Sequence, residues 1–180
     1  MEVLAEDSRE LTPHRPEEDS QPEGNPSTVD SVGSIFVVHG RKLEPAKDVA
    51  RMVEASTGRE AIILQEQVNS GQTVIEKFEA NAAKAAFAVV VMTADDEGRL
   101  RGSEEALKPR GRQNVVLELG YFMGCLTRKR IAVLVDPGVE HPSDIAGLVY
   151  IELDDRGTWK YQLAKELRAA GITVDYGKIP

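Results

Sequence analysis

The sequence predicts an α/β domain with a flavodoxin-like fold: a five-stranded parallel sheet, order 2-1-3-4-5, with helices on both faces. Three observations carry that expectation. Short, near-continuous apolar runs alternate with helix-period segments from residue 34 onward. The runs are rich in Val and Ile and lack the in–out alternation of a half-exposed strand, as strands covered on both faces should. At 180 residues with 41% hydrophobic content, the chain has room for one such domain and its core.

The elements follow in order. IFVVHG (35–40) is a buried strand that stops at a glycine. Residues 44–57 place Ala46, Val49, Ala50 and Val53 on one helical face, and Gly58 ends the helix. AIIL (61–64) is a second strand, followed by turn chemistry in EQVNSGQT (66–73) and a helix over VIEKFEANAAKA. FAVVVMT (87–93) is the central strand, and residues 94–112 form a long polar loop. A third helix runs from Asn114 to Leu126, then strands RIAVLVD (130–136) and YIEL (150–153), and a closing amphipathic helix at 159–171. With this strand order the topological switch lies between strands one and three. Ligands of open α/β sheets bind there, outside the carboxyl ends of the strands.

Charge divides the chain. Residues 1–33 hold nine acidic residues against Arg9 and Arg15, which leaves a net −1 of the total −8 for residues 34–180. We therefore expect a disordered acidic linker or tail at 1–33 and one domain at 34–180. A nearly neutral domain argues against nucleic acid as partner, which needs a concentrated basic face. No apolar run approaches the roughly 18 residues of a membrane span, and the N-terminus lacks a secretory pattern, so a cytoplasmic protein is expected. The single cysteine, Cys125, builds neither a disulfide framework nor a zinc site, and no His/Cys/acid cluster suggests a metal.

The helix at 114–126 carries the sharpest anomaly. Glu118 is the one charged side chain in VVLELGYFMGCL (115–126), a stretch apolar enough to be expected largely buried. A carboxylate there is either a structural acid paired with Arg112 or another base, or a functional group whose pKa burial raises. Gly120 and Gly124 share one face, which close packing on the sheet or the approach of a ligand would explain. Cys125 reads as a small core residue. In the preceding loop, Arg99, Arg101, Lys108, Arg110 and Arg112 either meet a phosphate near the helix start, with Gln113 and Asn114 as capping candidates, or are simply solvated. Nearby acids balance that charge. His39 either contacts a ligand or packs beneath the adjacent loop. Neither a Walker loop nor GxGxxG occurs, and a phospho-receiver lacks its acids because His39-Gly40 and Thr93 stand in their places.

The segments IFVVHGR (35–41), ILQEQVNSGQTVIEKFE (63–79), FAVVVMTADDEG (87–98), RQNVVLELGYFMG (112–124) and HPSDIAGLVYIELDD (141–155) resemble a bacterial TIR-like family. Its domains occur in anti-phage effectors of the cyclic-oligonucleotide and Pycsar systems, including fusions to STING-like sensors. The resemblance spans about residues 34–170. It implies a TIR fold and hydrolysis of NAD at the nicotinamide–ribose bond, with NAD as substrate and no further cofactor. It implies Glu118 as the catalytic residue, and His39, Gly40, Arg41, Arg112 and Asn114 as NAD-binding residues. It also implies self-association through TIR domains and a separate sensor protein or domain as partner, in an abortive-infection role. A non-catalytic nucleotide-binding or TIR–TIR interaction module is the alternative.

Overall fold

The computed structural model describes residues 33–63, 79, 82–142, 145 and 147–180. The expected tail, the turn segment EQVNSGQT and most of the second helix lie outside the described residues, save Glu79 and Ala82, which are helical. Five strands, β1 (Ser34–His39), β2 (Ala61–Ile63), β3 (Ala85–Met92), β6 (Ile131–Val135) and β7 (Val149–Glu152), form one sheet in the order β2-β1-β3-β6-β7. Every pairing in it is parallel. Counted along the sheet strands alone, this is the expected 2-1-3-4-5 order, with the switch between β1 and β3.

Alternate residues of the strands feed two cores. Ile35, Val37, Phe87, Val89, Val91 and Leu134 face α1 (Leu43–Thr57) and α3 (Thr158–Ala169), where Val49, Val53, Trp159, Leu163 and Leu167 pack. Phe36, Val38, Ala88, Val90 and Val133 point to the other face and meet Val115, Leu119 and Phe122 of α2 (Gln113–Cys125). The continuous apolar runs are thus the sequence form of a sheet buried on both sides. Gly58 ends α1 as expected: it takes the left-handed conformation (φ 68°), and its N–H donates to Glu54 O at 2.9 Å.

Asp154 starts α3 by accepting from the backbone N–H of Thr158 (3.1 Å) and Trp159 (3.0 Å). Desolvation pushes the Asp154 carboxyl upward, but the Thr158, Trp159 and Arg156 N–H groups outweigh it and hold the pKa below the usual value. A depressed carboxyl pKa contributes stability above its unfolded value and loses it as pH falls through the folded one. Asp154→Ala should therefore lower the melting temperature at neutral pH, and the deficit should close on acidification. Thermal unfolding at a series of pH values measures both.

Three expectations are corrected. The polar stretch 94–112 is not plain loop: β4 (Asp96–Gly98) and β5 (Lys108–Arg110) pair as an antiparallel hairpin. The helix α2 is not largely buried. One helix against one sheet face covers a single stripe, here Val115, Leu119 and Phe122, while Leu117 remains 68% exposed and Cys125 is exposed rather than in the core. Nor do Gly120 and Gly124 pack on the sheet, since a Cβ at either would meet nothing within 4 Å.

Candidate functional site

The carboxyl ends of β1, β3 and β6 gather the polar residues of the domain. β1 delivers His39 and Gly40 to the switch point. Both are buried, His39 with 4% of its surface exposed. Arg41 follows at the surface, and its backbone N–H donates to Asp95 Oδ2 at 3.0 Å. That carboxylate lies directly against the Gly40 Cα, where any Cβ would collide with it, so glycine is required here for close approach. Arg41 also places its guanidinium 3.9 Å from Asp96. Lys42 pairs with Asp136 at 3.1 Å, and Asp136 in turn accepts the Ala94 N–H at 3.3 Å. Thr93, just after β3, is 1% exposed, and its Oγ1 finds no hydrogen-bond partner among the described residues.

The basic residues of 94–112 are mostly committed to the protein itself. Arg99 donates to the Glu105 carbonyl at 3.0 Å, and Lys108 lies 3.6 Å from the Glu105 carboxylate. Arg110 is bound to Glu140 at 2.5 Å, and Glu140 N–H donates to Pro109 O at 2.8 Å, which ties the hairpin to the loop after β6. A cleft of about 540 Å³ opens between that tie and the start of α2, lined by Met92, Asp96, Glu97, Gln113, Val116 and His141 among others. The His141 ring packs on Tyr150 with centroids 4.2 Å apart.

Arg112 occupies the N-cap of α2 without a side-chain cap, and Gln113 and Asn114 already lie in the first turn, so neither is the capping residue the sequence suggested. Glu118 stands one and a half turns further on. Two residues beyond Val116, it projects about 200° around the helix from the cleft-facing side. It is half-buried and makes no salt bridge or hydrogen bond among the described residues. Burial raises its pKa to about 7, and the positive charge of Arg112 opposes that rise without cancelling it. The alternative of a structural acid paired with Arg112 therefore fails on geometry: the two interact at a distance. Around neutrality this carboxyl is present in both protonation states, and its charge, when present, is incompletely solvated.

Arg112, at the N-cap of α2, and Glu118, within it, share no hydrogen bond or salt bridge among the described residues, and the structure joins Gly40 and Arg41 to the loop after β3. Asn114 is exposed in the first turn of α2. Sequence reasoning missed Asp95, Asp136 and the Arg110–Glu140 tie. Only the TADD run after the central strand hinted that acids would meet the first-strand loop. Among the described residues no helix is long and apolar enough to cross a membrane, and no group of three or more His, Cys, Asp or Glu gathers as for a metal ion.

A family model described as the TIR domain of CAP12/Pycsar effector proteins matches residues 34–155. The chain belongs to this TIR family. The chain is similar to YuaY, an uncharacterized protein of Escherichia coli (strain K12), at 46% identity over 144 residues, 80% of this chain and 48% of YuaY. It is 32% identical over 126 residues to protein tirC of Dictyostelium discoideum, covering 65% of this chain and 62% of that one. The Pycsar effector protein BcPycTIR of Burkholderia cepacia is 50% identical over 68 residues, 36% of this chain and 21% of the effector. The chain thus spans about half the length of YuaY and less than two thirds of tirC. The matched region contains every sheet strand, Gly40, Asp95 and Glu118.

Proposed function

We propose that this TIR domain is an NAD glycohydrolase that cleaves the nicotinamide–ribose bond, acting as an effector in anti-phage defence by depleting NAD. The observation that carries the reading is Glu118, a carboxyl without a hydrogen bond or salt bridge among the described residues and with a pKa near 7, inside the span that the family model matches. The relative named as a Pycsar effector supports the defence role.

The chemistry needs little machinery. Nicotinamide departs from a pyridinium as a neutral molecule, so its departure requires no proton. What the protein must supply is orientation, together with negative charge near the oxocarbenium-like ribose. Ionised Glu118 supplies that charge, and the bond electrons leave with the ring nitrogen. Water then attacks C1′ and loses a proton, giving ADP-ribose; capture by the adenine ring instead gives the cyclic product. His39, Gly40, Arg41, Arg112 and Asn114 are the residues we assign to binding. Self-association is part of the proposal, with a separate sensor as the trigger. The bare stripe of α2, with Leu117 68% exposed, is the kind of apolar surface that a second chain covers.

Nicotinamide release by the purified chain, measured across a wide range of protein concentration, tests the reading. Specific activity should climb steeply with concentration. Nucleotide binding with NAD left intact at every concentration, and in lysate of infected cells, would instead establish the interaction module.

A further inference from the structure

The crevice between the ends of β1 and β3 is the customary place for a phosphate in an open α/β sheet, because free backbone N–H groups of the first loop point into it. Here a carboxylate stands in that place. Asp95 Oδ2 lies against Gly40 and has taken the Arg41 N–H at 3.0 Å. The side-chain cations of the same loop are also met: Arg41 by Asp96 at 3.9 Å and Lys42 by Asp136 at 3.1 Å. Asp95 is itself held in position, since its N–H donates to Thr93 O at 2.8 Å and reaches Arg110 O at 3.2 Å. An anion entering the crevice would find the Arg41 N–H and the Arg41 and Lys42 side chains engaged and a negative charge at contact distance.

We propose that Asp95 is a specificity-determining residue that closes the β1–β3 crevice to phosphate and leaves the 39–41 loop to a neutral or cationic part of the substrate. The inference rests on the assignment of residues 39–41 to substrate binding. It adds that the pyrophosphate of the dinucleotide is held elsewhere.

Inorganic pyrophosphate is the probe, added to the ¹⁵N-labelled full chain while the Gly40 and Arg41 amide signals are followed. In the wild type these two signals should stay in place at millimolar pyrophosphate. In Asp95→Ala the Arg41 N–H is released, and in Asp95→Asn the charge is gone while an amide oxygen still accepts that N–H and keeps the loop folded. Both variants should bind pyrophosphate at this loop at least about tenfold more tightly than the wild type. Saturable wild-type shifts at Gly40 and Arg41 with a similar affinity would overturn the proposal, as would no gain in Asp95→Asn. Neither reading depends on NAD turnover. A wild type that leaves NAD intact at every concentration and in lysate of infected cells, while its Asp95→Asn variant gains pyrophosphate, keeps the crevice assignment and removes the glycohydrolase; an active wild type with no such gain does the reverse.

Discussion

Glu118→Gln should abolish NAD cleavage, by about a thousandfold or more, while leaving the fold intact. The substitution keeps the size and the hydrogen-bonding tip of the side chain and removes only its charge. Among the described residues Glu118 has no hydrogen bond or salt bridge that uses that charge, and the α2 core rests on Val115, Leu119 and Phe122. The reaction does use it if the ribose cation is stabilised by a carboxylate. The two roles separate in the pH profile of the wild type. A carboxylate that acts through its charge gives activity that rises as pH passes through about 7, the value to which burial lifts Glu118. An acid that protonates a leaving group would give the opposite slope, and nicotinamide requires no such acid. Nicotinamide release between pH 5.5 and 8.5, with the Gln variant alongside at matched protein concentration, decides the point. Equal turnover in the variant would remove Glu118 from the catalytic assignment.

Much of this was legible in the sequence, for identifiable reasons. Strands covered on both faces cannot alternate in hydrophobicity, so IFVVH and FAVVVM declare themselves, and the strand–helix rhythm leaves few sheet orders open. Glu118 stood out because a charge in an apolar helix has no cheap place to go. What the sequence concealed depends on contacts between distant residues. The β4–β5 hairpin is built from Asp-Glu-Gly and Lys-Pro-Arg, which carry no apolar pattern to mark them as strands. The meeting of Asp95 with Gly40 and Arg41 joins loops 54 residues apart, and only the β1–β3 pairing brings them together. The apolar count of α2 reports how much surface wants covering. It does not report whether a neighbour covers it, and so the expected burial of the helix fails at Leu117, Cys125 is exposed rather than in the core, and the two glycines do not pack on the sheet.

The same carboxyl should make the wild type less stable than its Gln variant, and only above a definite pH. Glu118 has a folded pKa of about 7 against an ordinary 4.5. Below the lower value both folded and unfolded chains hold the proton, and the residue has no effect on stability. Between the two values the unfolded chain releases its proton and the folded chain retains it, so stability declines as pH rises. Above about 7 the folded protein carries the partly desolvated charge, and the cost is constant. Allowing for the water that still reaches this half-buried group, that cost is about 1 to 2 kcal/mol. Glu118→Gln never carries the charge. Its melting temperature should match the wild type near pH 4.5 and exceed it by roughly 2 to 6 °C at pH 8. A constant offset across the range would mean that packing, not the proton, separates the two proteins. A gap that opens with pH and closes when NAD is added would place the stored cost at the position where substrate binds. The charge that destabilises the empty domain would then be the charge that the ribose cation uses.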